Sequence, residues 1–250
     1  MDNIGTLLAR NGVHRQWHEI LSESLTKVEP AYLADLIRDH QWLPGVDNIL
    51  AAFRCDLREV RYLLIGESPY PRPESANGIA FYDAAVGSLW SDHGLSKAVN
   101  RATSMRNIIK TILVAEQRLV ADANGKISQQ AIAEVDKVDM IQTMAELFTN
   151  LKHAGFLMLN ATPVLHPERK PAQEAIYWRD FLEQLLLSLA ARSARRITLL
   201  LWGKIAESLQ AIPATAVYDK LVCEHPYNIS FIDNADMRAL FSQLRILQRL

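Results

Sequence analysis

Four short apolar runs, each ending in an abrupt polar turn, constrain this chain more than any other feature. Residues 63–71 read LLIGESPYP, an apolar run that stops at a proline-stiffened turn. The same break follows FLMLN at 156–160, ITLLLWG at 197–203 and KLVCEHP at 220–226. Runs this short and continuous, separated by helical stretches, predict strands of a parallel sheet buried on both faces. In such sheets ligands bind beyond the carboxyl ends of the strands. Those ends carry Glu67, Ser68, Tyr70, Asn160 and His225, so three distant segments are expected to build one pocket.

Composition narrows the class. With 250 residues and no linker-like stretch, a single domain over 1–250 is expected, with residues 1–59 as its N-terminal helical part. The formal net charge of −1 neither draws nor repels nucleic acid, so any DNA contact needs a local basic face. Two cysteines, Cys55 and Cys223, are too few for a disulfide framework or a four-cysteine metal site, and they point to a reduced, cytoplasmic setting. The first residues lack a signal-peptide core and no run approaches 18 apolar residues, so no membrane association is expected. His14 and His18 have i, i+4 spacing without a third ligand nearby, and GESPYP lacks the Lys-Ser/Thr ending of a phosphate loop. Neither a metal nor a cofactor is expected.

Helical periodicity is read around Trp17, Ile20 and Leu21, then over 31–39, 46–53, 104–119, 128–151, 178–189 and 236–250. Ser104 is the expected N-cap of its helix. The first strand is expected at 60–65, and NGIAFYD at 77–83 reads as loop or edge strand.

Six ordered blocks then carry a resemblance. GESPYP, GIAF, SMRNI, LMLN, LLLWG and EHPYNIS resemble the family 1 uracil-DNA glycosylases, whose usual patterns are GQDPYH, GLAF, SLKNI, LLLN, LLWG and HPSPLS. LPGVDNILAAF at 43–53 resembles the family's stretch before the first strand, and the likeness runs from about residue 17 to residue 249. The resemblance implies a three-layer α/β/α sandwich around a mostly parallel four-stranded sheet. It also implies a monomeric enzyme that takes uracil-containing DNA, single- or double-stranded, and flips the uracil out of the stack to reach its glycosidic bond. Phe81 would stack on the flipped base, and Tyr70 would fill the space of a thymine methyl. Asn160 would read the uracil edge at N3–H and O4. His225 would donate to O2 and stabilise the departing anion, a contribution often worth ~3 kcal/mol. Ile229 would wedge into the vacated stack, while Ser104 and Ser230 would contact phosphates. Each has a plainer use as well: core packing for Phe81 and Tyr70, loop or helix capping for Asn160 and the serines.

The departures shape the chemistry. Ser68 stands where the family has the aspartate that orients the attacking water, and a hydroxyl cannot act as that base. Such assistance is worth ~10²–10⁴-fold, and Glu67, one residue earlier, is the candidate replacement. A GEAPG-like motif with this glutamate occurs in branches that hold an iron–sulfur cluster on four cysteines, which two cysteines exclude. Pro71 replaces the usual histidine, and Tyr227 and Asn228 replace Ser and Pro, removing a phosphate-binding hydroxyl and a stiff turn. The stretch 121–151 is longer than the family norm and reads as a packed insertion rather than a partner surface. HPERK at 166–170 is basic, so Arg169 and Lys170 are expected to touch the DNA backbone. Three functions fit these residues. They are a uracil-excising glycosylase, a glycosylase with altered base choice such as hypoxanthine, and a catalytically weak or inactive protein that binds uracil-containing DNA or a protein partner.

Overall fold

The computed structural model describes residues 4–39, 41–122 and 126–250. In chain order these form α1 (Ile4–Arg10), α2 (His18–Leu25), α3 (Pro30–Arg38), β1 (Tyr62–Gly66), β2 (Trp90–Ser91), β3 (Gly94–Leu95), α4 (Lys97–Arg101), α5 (Thr103–Ala115), α6 (Gln129–Glu134), α7 (Met144–His153), β4 (Phe156–Asn160), α8 (Pro171–Arg192), β5 (Thr198–Trp202), α9 (Ile205–Gln210), β6 (Asp219–Cys223) and α10 (Ala235–Ser242). All four apolar runs are strands of one sheet, ordered β4-β1-β5-β6, with β1 parallel to both of its neighbours. β4 is buried along its whole length, as is β1 from Leu63 to Gly66, which explains why neither run alternates with polar residues. Register pairs Gly66 with Asn160, so β1 and β4 end level.

The chain groups into two compact units. The first spans the chain to Asp83, Gly155–Leu201 and Ile205–Leu221; the second spans Ala84–Ala154, Trp202–Lys204 and Val222–Leu250. In the first unit α8 starts with Pro171 at its first turn and buries Trp178, Leu182, Leu185 and Leu189, a stripe at helical spacing. It packs on α2, where Arg192 binds Glu19 at 2.8 Å and Glu23 at 2.6 Å. In the second unit α5 buries Ile108, Ile109, Ile112 and Leu113, and packs on α10 and on the tight turn Ile229–Asp233.

Four helical expectations are corrected. Residues 46–53 are turns ending in a single 3₁₀ turn, Ala51–Phe53, because the Asn11 side chain takes their backbone groups: its Nδ2 donates to Val46 O at 2.8 Å and its Oδ1 accepts from Leu50 N–H at 2.9 Å. Residues 128–151 form two helices, α6 and α7, rather than one. Between them the Lys137 ammonium donates to the carbonyls of Ile132 and Val135, each at 2.7 Å, and Thr143 and Glu146 form a capping box that starts α7. Ser104 lies inside α5, whose N-cap is Ala102. The last helix stops at Ser242, since the Asn150 carboxamide holds Ile246 O and Gln248 O at 2.7 Å each and Glu116 accepts from Leu247 N–H at 3.0 Å. The segment at 77–83 is loop, and the stretch after 127 buries Ile132, Met140 and Ile141 as a packed insertion does.

Candidate active site

The first unit brings Tyr70, Phe81 and Asn160 together around the end of β1. Past the paired strands the backbone stays clamped: Ala161 N–H donates to Gly66 O at 2.8 Å and Thr162 N–H to Glu67 O at 3.0 Å. Asn160 is 8% exposed, and among the described residues its carboxamide makes no hydrogen bond. Gly66 is what admits it. A Cβ there would stand 2.8 Å from Asn160 Oδ1 and 3.6 Å from the Phe81 ring. Asn160 also borders a narrow crevice with Leu50, Phe53 and Phe181, room for about one water molecule, which gives the amide an apolar wall.

Phe81 is held in an unusual backbone conformation, φ +64°, which costs a non-glycine residue roughly 1–3 kcal/mol. The Tyr70 hydroxyl donates to Phe81 O at 3.3 Å, and Arg72 binds Asp83 at 3.0 Å, bracing both ends of this loop. Burial, reinforced by the negative charge of Asp83, pushes the Tyr70 hydroxyl up to about 12, so the ring stays neutral. Glu67 is exposed at the turn and Ser68 half-buried beside it.

The second unit positions His225. Tyr227 N–H donates to His225 Nδ1 at 3.0 Å, which assigns Nδ1 as acceptor and leaves the proton of the neutral ring on Nε2. Gly203, at φ +76°, makes room for this side chain: a Cβ there would lie 2.6 Å from His225 Cβ. The turn that follows is fixed from α5, where the buried Asn107 Nδ2 donates to Pro226 O at 2.8 Å and approaches Asn228 O at 3.3 Å. Asn107 therefore supplies the stiffness that a proline at Asn228 would have given. Sequence reasoning assigned no role to Gly66, Gly203 or Asn107; the signal was a glycine closing two of the four apolar runs and an Asn on the apolar face of α5. Ser230 and Ile229 are exposed on the turn, and Ser104 is half-buried near the start of α5.

Arg169 and Lys170 have structural work in the first unit. Arg169 donates to the fully buried Glu174 at 3.0 Å, and its guanidinium lies over the rings of Tyr32 and Tyr177, at 5.6 and 5.9 Å. Tyr32 donates to the same Glu174, and burial together with that carboxylate raises its hydroxyl above the ordinary range. Lys170 is the N-cap of α8, where its N–H donates to Gln173 Oε1 at 3.0 Å. Among the described residues no group of three or more His, Cys, Asp or Glu could hold a metal, and no helix is long and apolar enough to cross a membrane.

The chain matches no protein-family model. It superposes on the crystal structure of the wild-type UNG of Nitratifractor salsuginis with a TM-score of 0.93 at 38% identity, covering 99% of this chain and 97% of that one. It is 26% identical over 213 residues to uracil-DNA glycosylase 1 of Streptomyces coelicolor, covering 85% of this chain and 78% of that protein. The mimivirus uracil-DNA glycosylase shares the fold, with a TM-score of 0.56 at 16% identity over 90% of this chain and 71% of that one. The four-stranded sheet with its helices is thus a three-layer α/β/α fold. The chain belongs to the uracil-DNA glycosylase superfamily.

Proposed function

We propose that the protein is a monofunctional glycosylase that flips uracil out of DNA and hydrolyses its N-glycosidic bond, the first step of base excision repair. The observation that carries this reading is the Asn160 carboxamide: buried, without a hydrogen bond among the described residues, and beside a Phe81 ring held at a strained backbone position. The amide N and O are not sealed from solvent, so they are open to a ligand, and a uracil edge offers both the donor and the acceptor that suit them. Phe81 stacks on the base, and the neutral Tyr70 ring excludes a 5-methyl group. Hypoxanthine presents an equivalent N1–H/O6 edge, so the amide alone does not separate the two bases; the likeness to uracil-DNA glycosylases makes uracil the favoured one.

In the reaction the C1′–N1 bond breaks and its electron pair leaves with the uracil. The Nε2–H of His225 donates to O2 and stabilises the resulting anion. A water oxygen then bonds to C1′, and its proton passes to a base. Ser68 cannot be that base at neutral pH, and Glu67, on a turn fixed by the Thr162 N–H, is assigned the role. Ser104 and Ser230 contact phosphates, Ile229 enters the stack, and Lys170 with Arg169 adds positive charge to the backbone contact. The partner is DNA and the acting species a monomer. Two cysteines outside any disulfide support a reducing, cytoplasmic setting.

Excision from a uracil-containing single strand tests this. Wild-type protein should release uracil, Glu67→Gln should lose ~10²-fold or more, and Asn160→Ala or His225→Ala should remove most of the rate. Full rates in both of the latter would overturn the site. A silent wild-type protein that gains excision on Ser68→Asp would make it a binder of uracil-containing DNA whose pocket has given up its chemistry.

A further inference from the structure

The turn after His225 presents an aromatic ring that nothing in the reaction above uses. Tyr227 is 68% exposed and Ile229, two residues on, is 74% exposed, so two large apolar side chains stand in solvent on one short turn. An exposed ring gains little of the burial that ordinarily stabilises an aromatic residue. Its backbone is nonetheless held from both sides by side-chain hydrogen bonds. Tyr227 N–H is bound to His225 Nδ1 at 3.0 Å, and the Asn107 side chain reaches the carbonyls on either side, Pro226 O at 2.8 Å and Asn228 O at 3.3 Å. Asn107 is itself buried and sits on α5, whose apolar face is packed. A rigid backbone carrying an exposed flat ring is a preorganised contact, because little freedom remains to be lost when a partner arrives.

We infer that Tyr227 is a stacking platform for an unpaired DNA base neighbouring the uracil, which gives the enzyme a hold on single-stranded substrate. This deepens the glycosylase reading and rests on it. A base is the occupant that suits the ring's chemistry: every nucleobase has a π-face, so stacking tolerates any neighbouring sequence, whereas duplex bases already stack on each other. The adjoining side chains fit the same occupant, with Ser230 exposed beside an apolar Ile229 and no carboxylate between Tyr227 and Ser230 to repel a phosphate.

The test uses the full chain and fluorescently labelled single-stranded oligonucleotides, with and without uracil. Tyr227→Ala should raise KM for excision, and Kd for the uracil-free strand, by roughly 5- to 100-fold, the range that one stacked base commands. Tyr227→Phe should restore both, since the ring does the work. Removing the bases that flank the uracil should weaken wild-type binding and leave Tyr227→Ala unchanged. Unaltered KM and Kd in Tyr227→Ala would overturn the inference. So would a Phe variant as impaired as Ala, or a Tyr227→Ser variant as tight as wild type; both would assign the contact to a hydroxyl on a phosphate. Failure of the glycosylase reading looks different: wild-type protein releases no uracil, while Kd for the uracil-free strand still follows the ring.

Discussion

At the scale of single residues, two missing Cβ atoms matter as much as the side chains they admit. Gly66→Ala would set a methyl 2.8 Å from Asn160 Oδ1, the end of a side chain that can turn away, and 3.0 Å from Ala80 Cβ, which a shift of a few tenths of an ångström relieves. The fold should therefore survive, with a Tm within a few degrees of wild type, while uracil excision falls at least tenfold. Retained activity would show that the amide need not stay where it is. Gly203→Ala is harsher, because φ is +76° and the clash is with His225 Cβ at 2.6 Å. It should cost ~1–2 kcal/mol in urea unfolding as well as the His225 rate contribution. Cys223 supplies a prediction of another kind. Burial first, then the charges of Glu224 and Asp236, push its thiol up to about 12. Thiolate is the reactive form, so alkylation of folded protein at pH 8 should be far slower than that of the urea-unfolded chain. Equal rates would refute the shift.

Among the elements, those built from continuous apolar sequence were legible and those fixed by distant partners were not. The four strands announced themselves, since a strand buried on both faces needs an unbroken apolar run whatever its neighbours. The family motifs that follow them supplied Tyr70, Phe81, Asn160 and His225 as the proposed site residues. The false helix at 46–53 had sound periodicity, but Asn11, some 35 residues earlier, captures Val46 O and Leu50 N–H. The break between α6 and α7 also depends on pairing that periodicity cannot reveal, with Ile141 N–H bound to Leu247 O at 2.9 Å. HPERK shows the same limit, because Glu174 and the tyrosine pair that hold Arg169 lay out of view on α8 and α3. Arg169→Ala leaves the Glu174 carboxylate with Tyr32 as its side-chain partner inside the protein. That should destabilise by roughly 1–3 kcal/mol, discounted because the Arg169 side chain is 36% exposed. Lys170→Ala is the cleaner probe of phosphate contact. It should leave the urea midpoint unchanged and flatten the dependence of DNA affinity on salt by about one ion. An unchanged slope would remove Lys170 from the interface.

For the molecule as a whole, titration makes alkaline pH the weak side. Burial raises the hydroxyls of Tyr32, Tyr70, Tyr82 and Tyr218, and Tyr70 reaches about 12. Tyrosines of the unfolded chain ionise near 10. Above that pH the folded state holds protons that the unfolded chain has released, so the stabilisation present below pH 10 is lost as pH climbs toward 12. The limiting slope is about 1.4 kcal/mol per pH unit for each tyrosine. Cys223 acts in the same direction. Lys110 and Lys137, lowered by burial, act in the opposite one. Five groups outweigh two, and all four tyrosines belong to the first unit, the one that also holds Asn160 and Phe81. The urea midpoint should therefore decline gently from about pH 8.5, where the unfolded Cys223 thiol ionises, and fall steeply between 10 and 12. Tyr70→Phe should make that fall shallower by about one tyrosine's share, and its hydroxyl-free ring should still exclude a 5-methyl group. Phenolate absorbance measured on the folded protein decides the matter: titration of all seven tyrosines near pH 10 would remove the cause, whatever the midpoint does.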